Sequence, residues 1–145
     1  MRVCDECYTV LRDRLCDVDD SCPIRDCHGI VTEIDENMFA SFISLNEKGY
    51  VTKHCCSAHA FESSPRTYIY FAEHYIFPNL PKGFRSEESH IGDGTVIVKE
   101  FRRNMTNADL QKKIWKAAYD VLVWAEKLEC NWNETFCAPI VVDTT

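Results

Sequence analysis

Cys4-Asp5-Glu6-Cys7 and, after fourteen intervening residues, Cys22-Pro23-Ile24-Arg25-Asp26-Cys27-His28-Gly29 are the stretches on which the amino-terminal fold turns. Each close cysteine pair bends the backbone into a knuckle, and two knuckles joined by a loop of this length bring four thiolates to one tetrahedral Zn²⁺. The spacing therefore predicts a zinc ribbon over residues 1–32, with Cys4, Cys7, Cys22 and Cys27 as metal ligands. Two neighbours compete for a place in that set. Cys16 lies between the pairs and can stand in for Cys22, although Pro23 favours a knuckle turn directly after Cys22; His28 can stand in for Cys27.

Disulfides are the rival use of these sulfurs, and they belong to oxidising compartments. The opening Met1-Arg2-Val3-Cys4-Asp5-Glu6-Cys7 places acidic residues where an export signal needs a basic start and an apolar run. The expected location is a reducing compartment, the cytoplasm. There the thiols stay reduced and metal is their natural partner.

With 145 residues the chain is long enough for one substantial core, which suggests a ribbon at 1–32 attached to an α+β domain at 33–145. The formal net charge is −7, and it is unevenly placed. Residues 1–47 hold eleven Asp/Glu against four Lys/Arg, whereas residues 48–145 hold twelve of each. Four thiolates on one Zn²⁺ add about two more negative charges to the acidic end. Phosphate binding needs clustered Lys/Arg, so no direct contact with nucleic acid is expected from this lobe. A protein partner with a basic surface is the complementary expectation, since opposite fields accelerate and orient docking.

Beyond the ribbon, Gly29–Ile34 alternates as a strand, and Asp35 reads as an N-cap for a helix over 36–48, with Ile34 and Phe39 clasping its start. Gly49 supplies the left-handed residue past that helix. Strands are expected over 50–56 and 67–72, the second rich in aromatic and β-branched residues. Pro78, Pro81 and Gly83 exclude regular structure from 76–84, so an extended loop with its apolar side chains tucked in is expected. Gly92-Asp93-Gly94 separates two extended segments as a hairpin. Thr106 and Asp109 open a long helix whose Leu110, Ile114, Ala117, Ala118, Val121, Ala125 and Leu128 form one stripe, with Trp115, Leu122 and Trp124 beside it or away from it. The resulting fold class is α+β: an amino-terminal zinc ribbon on a mostly antiparallel sheet packed against two helices.

His54-Cys55-Cys56-Ser57-Ala58-His59 is the second stretch with chemical potential. A thiolate beside an imidazole is a nucleophile, and Cys130 and Cys137 offer further sulfurs for a second metal site. A small-molecule or nucleotide pocket there would draw on Cys55, Cys56 and His59, with Arg66, Tyr68 and Tyr70 around them. Strand alternation argues otherwise, because it sends Cys55 and Cys56 to opposite faces. Four cysteines also saturate a zinc and leave no position for water. The expectation is a binding protein with no catalytic residues.

Cys22-Pro23, Cys27-His28-Gly29, Glu33-Ile34-Asp35-Glu36, Leu45-Asn46, Lys48-Gly49-Tyr50, Thr52, Cys55-Cys56-Ser57 and His59 together resemble small zinc-ribbon proteins carried by phages and mobile elements of Gram-positive bacteria. The resemblance covers about residues 4–84, and departs from the group at Ala58, where glycine is usual. Among phage proteins of this size and acidity it is similar in character to zinc-containing anti-CRISPR proteins. That similarity implies an inhibitor that sits on a basic lobe of a type II CRISPR nuclease and obstructs target DNA loading. Asp17, Asp19, Asp20, Asp35 and Glu36 are then the side chains expected to face the partner.

Overall fold

A computed structural model describes residues 1–11, 21–88 and 94–131. Alternation in the strand Arg66–Phe71 (β5) buries Thr67, Ile69 and Phe71 and leaves Tyr68 and Tyr70 half-exposed. This strand is flanked by Thr52–Cys56 (β4) on one side and Thr95–Glu100 (β7) on the other, and Arg85–Glu88 (β6) closes the far edge. Every pairing in this four-stranded sheet is antiparallel, in the order β4-β5-β7-β6. The register sets Cys55 opposite Ile69 and Ile69 opposite Ile97, so one buried row crosses three strands. The hairpin joining β6 and β7 is as expected. Gly92 and Asp93 of its turn lie outside the described residues; at Gly94, a Cβ would stand 1.9 Å from the Phe71 carbonyl oxygen, which only glycine avoids.

A smaller sheet forms from Arg2–Cys4 (β1), Val10–Leu11 (β2) and Val31–Glu33 (β3), antiparallel in the order β2-β1-β3. It joins the larger one through a parallel bridge between Ile34 and Cys55. Val3 of β1 enters the same core as Ile34, Phe42, Ile69, Phe71, Ile97 and Trp124.

The first helix starts differently from its sequence reading. A single 3-10 turn at Glu36–Met38 precedes the α-helix Phe39–Glu47 (α1), and Asp35 makes no side-chain cap. Its carboxylate accepts instead from the Ser57 backbone N–H at 2.6 Å. The end is as expected: Gly49 has φ +88°, and the Tyr50 N–H reaches back to the Leu45 carbonyl at 2.9 Å.

The long helix Asn107–Lys127 (α2) is capped by Thr106, whose hydroxyl accepts from the Asp109 N–H at 3.1 Å. The stripe from Leu110 to Leu128 is buried as predicted. Trp124 is the correction, because it is only 6% exposed and belongs to that stripe. Its indole N–H donates to the Asn79 carbonyl at 2.9 Å, and Phe77 lies between the Trp124 and Phe71 rings at 5.1 Å from each. These contacts hold the 76–84 loop against the core, although Ile76 points outward at 90% exposure. Lys48 joins the two helices. Its ammonium donates to the carbonyls of Ala125, Glu126 and Leu128, placing a cation on the negative end of α2.

Candidate metal centre

The first knuckle lies between β1 and β2. The Cys4 N–H donates to the Thr9 carbonyl at 3.1 Å and the Tyr8 N–H to the Cys4 carbonyl at 3.1 Å. Tyr8 closes the turn at φ +59°, an uncommon conformation for an aromatic residue, while its ring packs edge-on against Phe42 at 6.0 Å. The second knuckle mirrors it: the Cys22 N–H donates to the Gly29 carbonyl at 3.0 Å and the Cys27 N–H to the Ile24 carbonyl at 3.1 Å. Asp26, at φ +63°, lies within the turn that this second bond closes. Asp5 ties the knuckles together, its N–H donating to the Ile30 carbonyl and its carboxylate accepting from the Ile30 N–H at 2.8 Å.

All four predicted sulfurs converge, within 4.8 Å of one another. Cys4 and Cys27 are 3.6 Å apart and Cys7 and Cys22 3.8 Å. A disulfide would require about 2.05 Å. Four sulfurs at about 2.3 Å from a tetrahedral ion stand about 3.8 Å from each other. The spacing therefore fits a metal and excludes cystine. Backbone donors are already aimed at the sulfurs: Glu6 N–H and Cys7 N–H at Cys4 Sγ, and Gly29 N–H at Cys27 Sγ, over 3.3 to 3.5 Å. Such bonds favour thiolate over thiol. Burial opposes them at Cys4, pushing its thiol up to about 12, and also raises Cys22. Bonds from the Thr9 hydroxyl and backbone hold the exposed Cys7 down at about 6. Coordination to a divalent cation would supply the positive charge that lets the buried Cys4 thiol ionise, with release of its proton.

Among the other expected residues, Cys16, Asp17, Asp19, Asp20 and Cys137 lie outside the described residues. His28 is exposed, beside the cluster but outside it. No second group of metal-ligating side chains occurs among the described residues. Cys55 is fully buried and raised to about 12, Cys56 lies on the opposite face with the Tyr68 hydroxyl bonded to it, and the His59 ring stands 3.8 Å from Asp35. Of the residues expected around them, the Arg66 guanidinium lies 5.4 Å over the half-exposed Tyr68 ring. His59 lines a concavity of ≈500 Å³ with Asp35, Glu36 and the 63% exposed Trp115. A second, of ≈430 Å³, is lined by Asp5, Glu6 and Glu47 with His28 and Tyr8. Neither has a Lys or Arg in its lining.

Gly29 was readable only as the start of a strand. In the fold, a Cβ there would stand 2.4 Å from Cys4 Sγ, so the residue after the second knuckle must be glycine for the sulfurs to meet. No helix among the described residues is long and apolar enough to cross a membrane. No protein family, curated protein or solved structure matches the chain.

Proposed function

We propose that the chain is a non-enzymatic, zinc-stabilised acidic binding protein, and that its partner is a protein with a basic surface. The observation that carries this reading is the pair of carboxylate-lined concavities free of Lys and Arg, one beside the four-cysteine cluster and one between Asp35, Glu36 and the start of the long helix. Each can receive a lysine or arginine side chain, and in the first the exposed Trp115 face adds a cation–π surface. Zinc is the metal proposed because four thiolates without imidazole or carboxylate suit a structural tetrahedral site.

The particular partner proposed, from the resemblance to phage zinc-ribbon proteins, is a type II CRISPR nuclease. Its basic channel handles the guide–target duplex. Occupying that channel blocks target DNA loading without any chemistry, as an anti-CRISPR inhibitor does.

Metal analysis of the purified protein and titration against such a nuclease test the two parts separately. Asp35→Lys with Glu36→Lys should weaken binding by on the order of tenfold or more and flatten its salt dependence. Unchanged affinity would remove the electrostatic argument, and absence of zinc would remove the cofactor.

A further inference from the structure

Five of the chain's sixteen Lys and Arg residues gather at one place. Lys82 from the 76–84 loop, Lys99 from β7, Arg102 just beyond it, and Lys113 and Lys116 from α2 line one cavity of ≈490 Å³. Nothing in their sequence spacing announces this, because the fold draws them from separate stretches of chain. Two carboxylates share the lining, and both are already engaged. Glu100 accepts from Arg85 at 3.2 Å, and Asp120 is paired with Lys116 on the same helix. Lys82, Lys99, Arg102 and Lys113 are left with no ionic partner among the described residues.

Like charges facing one concavity repel, and an anion placed between them relieves that repulsion. One of the four is held in position. The Lys99 ammonium lies 5.6 Å over the Phe101 ring and donates to the Lys82 carbonyl at 3.4 Å. Gly83, at φ +79°, leaves room for it, since a Cβ there would meet Lys99 Cε at 3.0 Å. The rest of the lining includes apolar side chains, with half-buried Phe101 and Met105 over buried Leu110.

We propose that this cavity binds a nucleoside polyphosphate, with the phosphates among Lys82, Lys99, Arg102 and Lys113 and the flat ring system against Met105, beside the Phe101 ring that Lys99 covers. Four cations suit several linked phosphates better than one, and the volume lies in the range of small-ligand sites. Extended nucleic acid fits less well, because a concavity of ≈490 Å³ is the size of a small-ligand site and the formal net charge of −7 opposes a long polyanion running beyond it. The site is opposite in sign to the acidic concavities and does not rest on the docking function proposed for them.

Isothermal titration of the full-length, metal-loaded protein with ATP tests the assignment, with adenosine, tripolyphosphate and a single-stranded oligo-dT as comparison probes. ATP is expected to bind with an affinity that falls as salt rises. Adenosine and tripolyphosphate should each bind more weakly, because each lacks one half of the ligand. Arg102→Glu and Lys113→Glu, both exposed and tolerable to the fold, should each weaken ATP by on the order of tenfold. Lys53→Glu makes the same charge change outside the cavity and should leave binding unchanged; circular dichroism confirms that each variant folds. The proposal is overturned by no heat at millimolar ATP, by variants that bind as the parent does, or by Lys53→Glu weakening binding as much as they do. Tripolyphosphate binding as well as ATP overturns the nucleoside assignment, and tighter binding of oligo-dT shows a nucleic-acid surface instead.

Discussion

Replacing Gly29 by alanine adds one methyl group at the point where the second knuckle crosses the first. That methyl would sit 2.4 Å from Cys4 Sγ, 2.8 Å from Glu6 Cβ and 3.0 Å from Asp5 Oδ1, against an ordinary contact of at least 3.4 Å. Gly29 does not use a glycine-only backbone conformation, so alanine is excluded by the sulfur and not by φ. The sulfur or the backbone must yield by about 1 Å, roughly five times the 0.2 Å tolerance of a metal–ligand distance. Structural zinc sites carry about 10–16 kcal/mol of apparent binding energy, so weakening one of four ligands should cost about 3 kcal/mol, or on the order of 10²-fold in affinity. Competition against a chromophoric chelator measures this directly. Zinc affinity in Gly29→Ala equal to the parent's would refute the crossing geometry, and with it the claim that the two knuckles share one ion.

Lys48→Met removes three bonds to the last carbonyls of α2 and the cation from its negative end; it should cost about 2 kcal/mol in urea unfolding with an unchanged slope. Trp124→Phe keeps the ring packing but leaves the Asn79 carbonyl without its donor, so protease cleavage within 76–84 should accelerate before global stability falls far. Burial raises Cys55 from 9.0 to about 12, so its contribution is complete below about pH 9 and is lost as pH climbs towards 12, where the unfolded chain ionises first. Cys55→Val should therefore lose less stability between pH 9 and 11 than the parent, and equal slopes would disprove that cause.

How far the chain could be read from its sequence varies with how local the cause is. The two close cysteine pairs, the Gly49 stop, the Thr106 cap and the α2 stripe each depend on residues within a few positions of one another, and each is found where expected, with the four sulfurs gathered in one cluster. Asp35 has a good N-cap side chain, but the Ser57 N–H on the neighbouring turn outcompeted the helix for it. Trp124 sits at the margin of the stripe, and only the distant 76–84 loop closing over it makes it core. The same holds for function. Acidic excess in residues 1–47 was visible as composition, whereas the cluster of Lys82, Lys99, Arg102 and Lys113 exists only once the 76–84 loop, the end of β7 and α2 line one cavity.

The metal is expected to stabilise more than the ribbon, because β1 serves two structures at once. Its alternation sends Val3 into the core that contains Phe42 and Trp124, while the next residue, Cys4, supplies a sulfur to the cluster. Met1 and Ile34 exchange backbone bonds at 2.9 and 2.8 Å, Ile34 bridges to Cys55, and the Thr32 hydroxyl donates to the Lys53 carbonyl at 2.8 Å. Releasing the sulfurs frees Cys4, and Val3 cannot stay packed while its neighbour pulls away. The binding energy of a structural zinc rivals the whole stability of an ordinary domain, about 5–15 kcal/mol, so its loss should reach the far side of the core. In a Trp115→Phe, Trp132→Phe background, Trp124 fluorescence reports that far side. Chelation should lower the melting temperature seen by Trp124 and by far-UV circular dichroism together. A Trp124 transition that ignores the chelator would mean that Val3 and Cys4 are mechanically independent, and that the ribbon hangs from the core instead of helping to hold it.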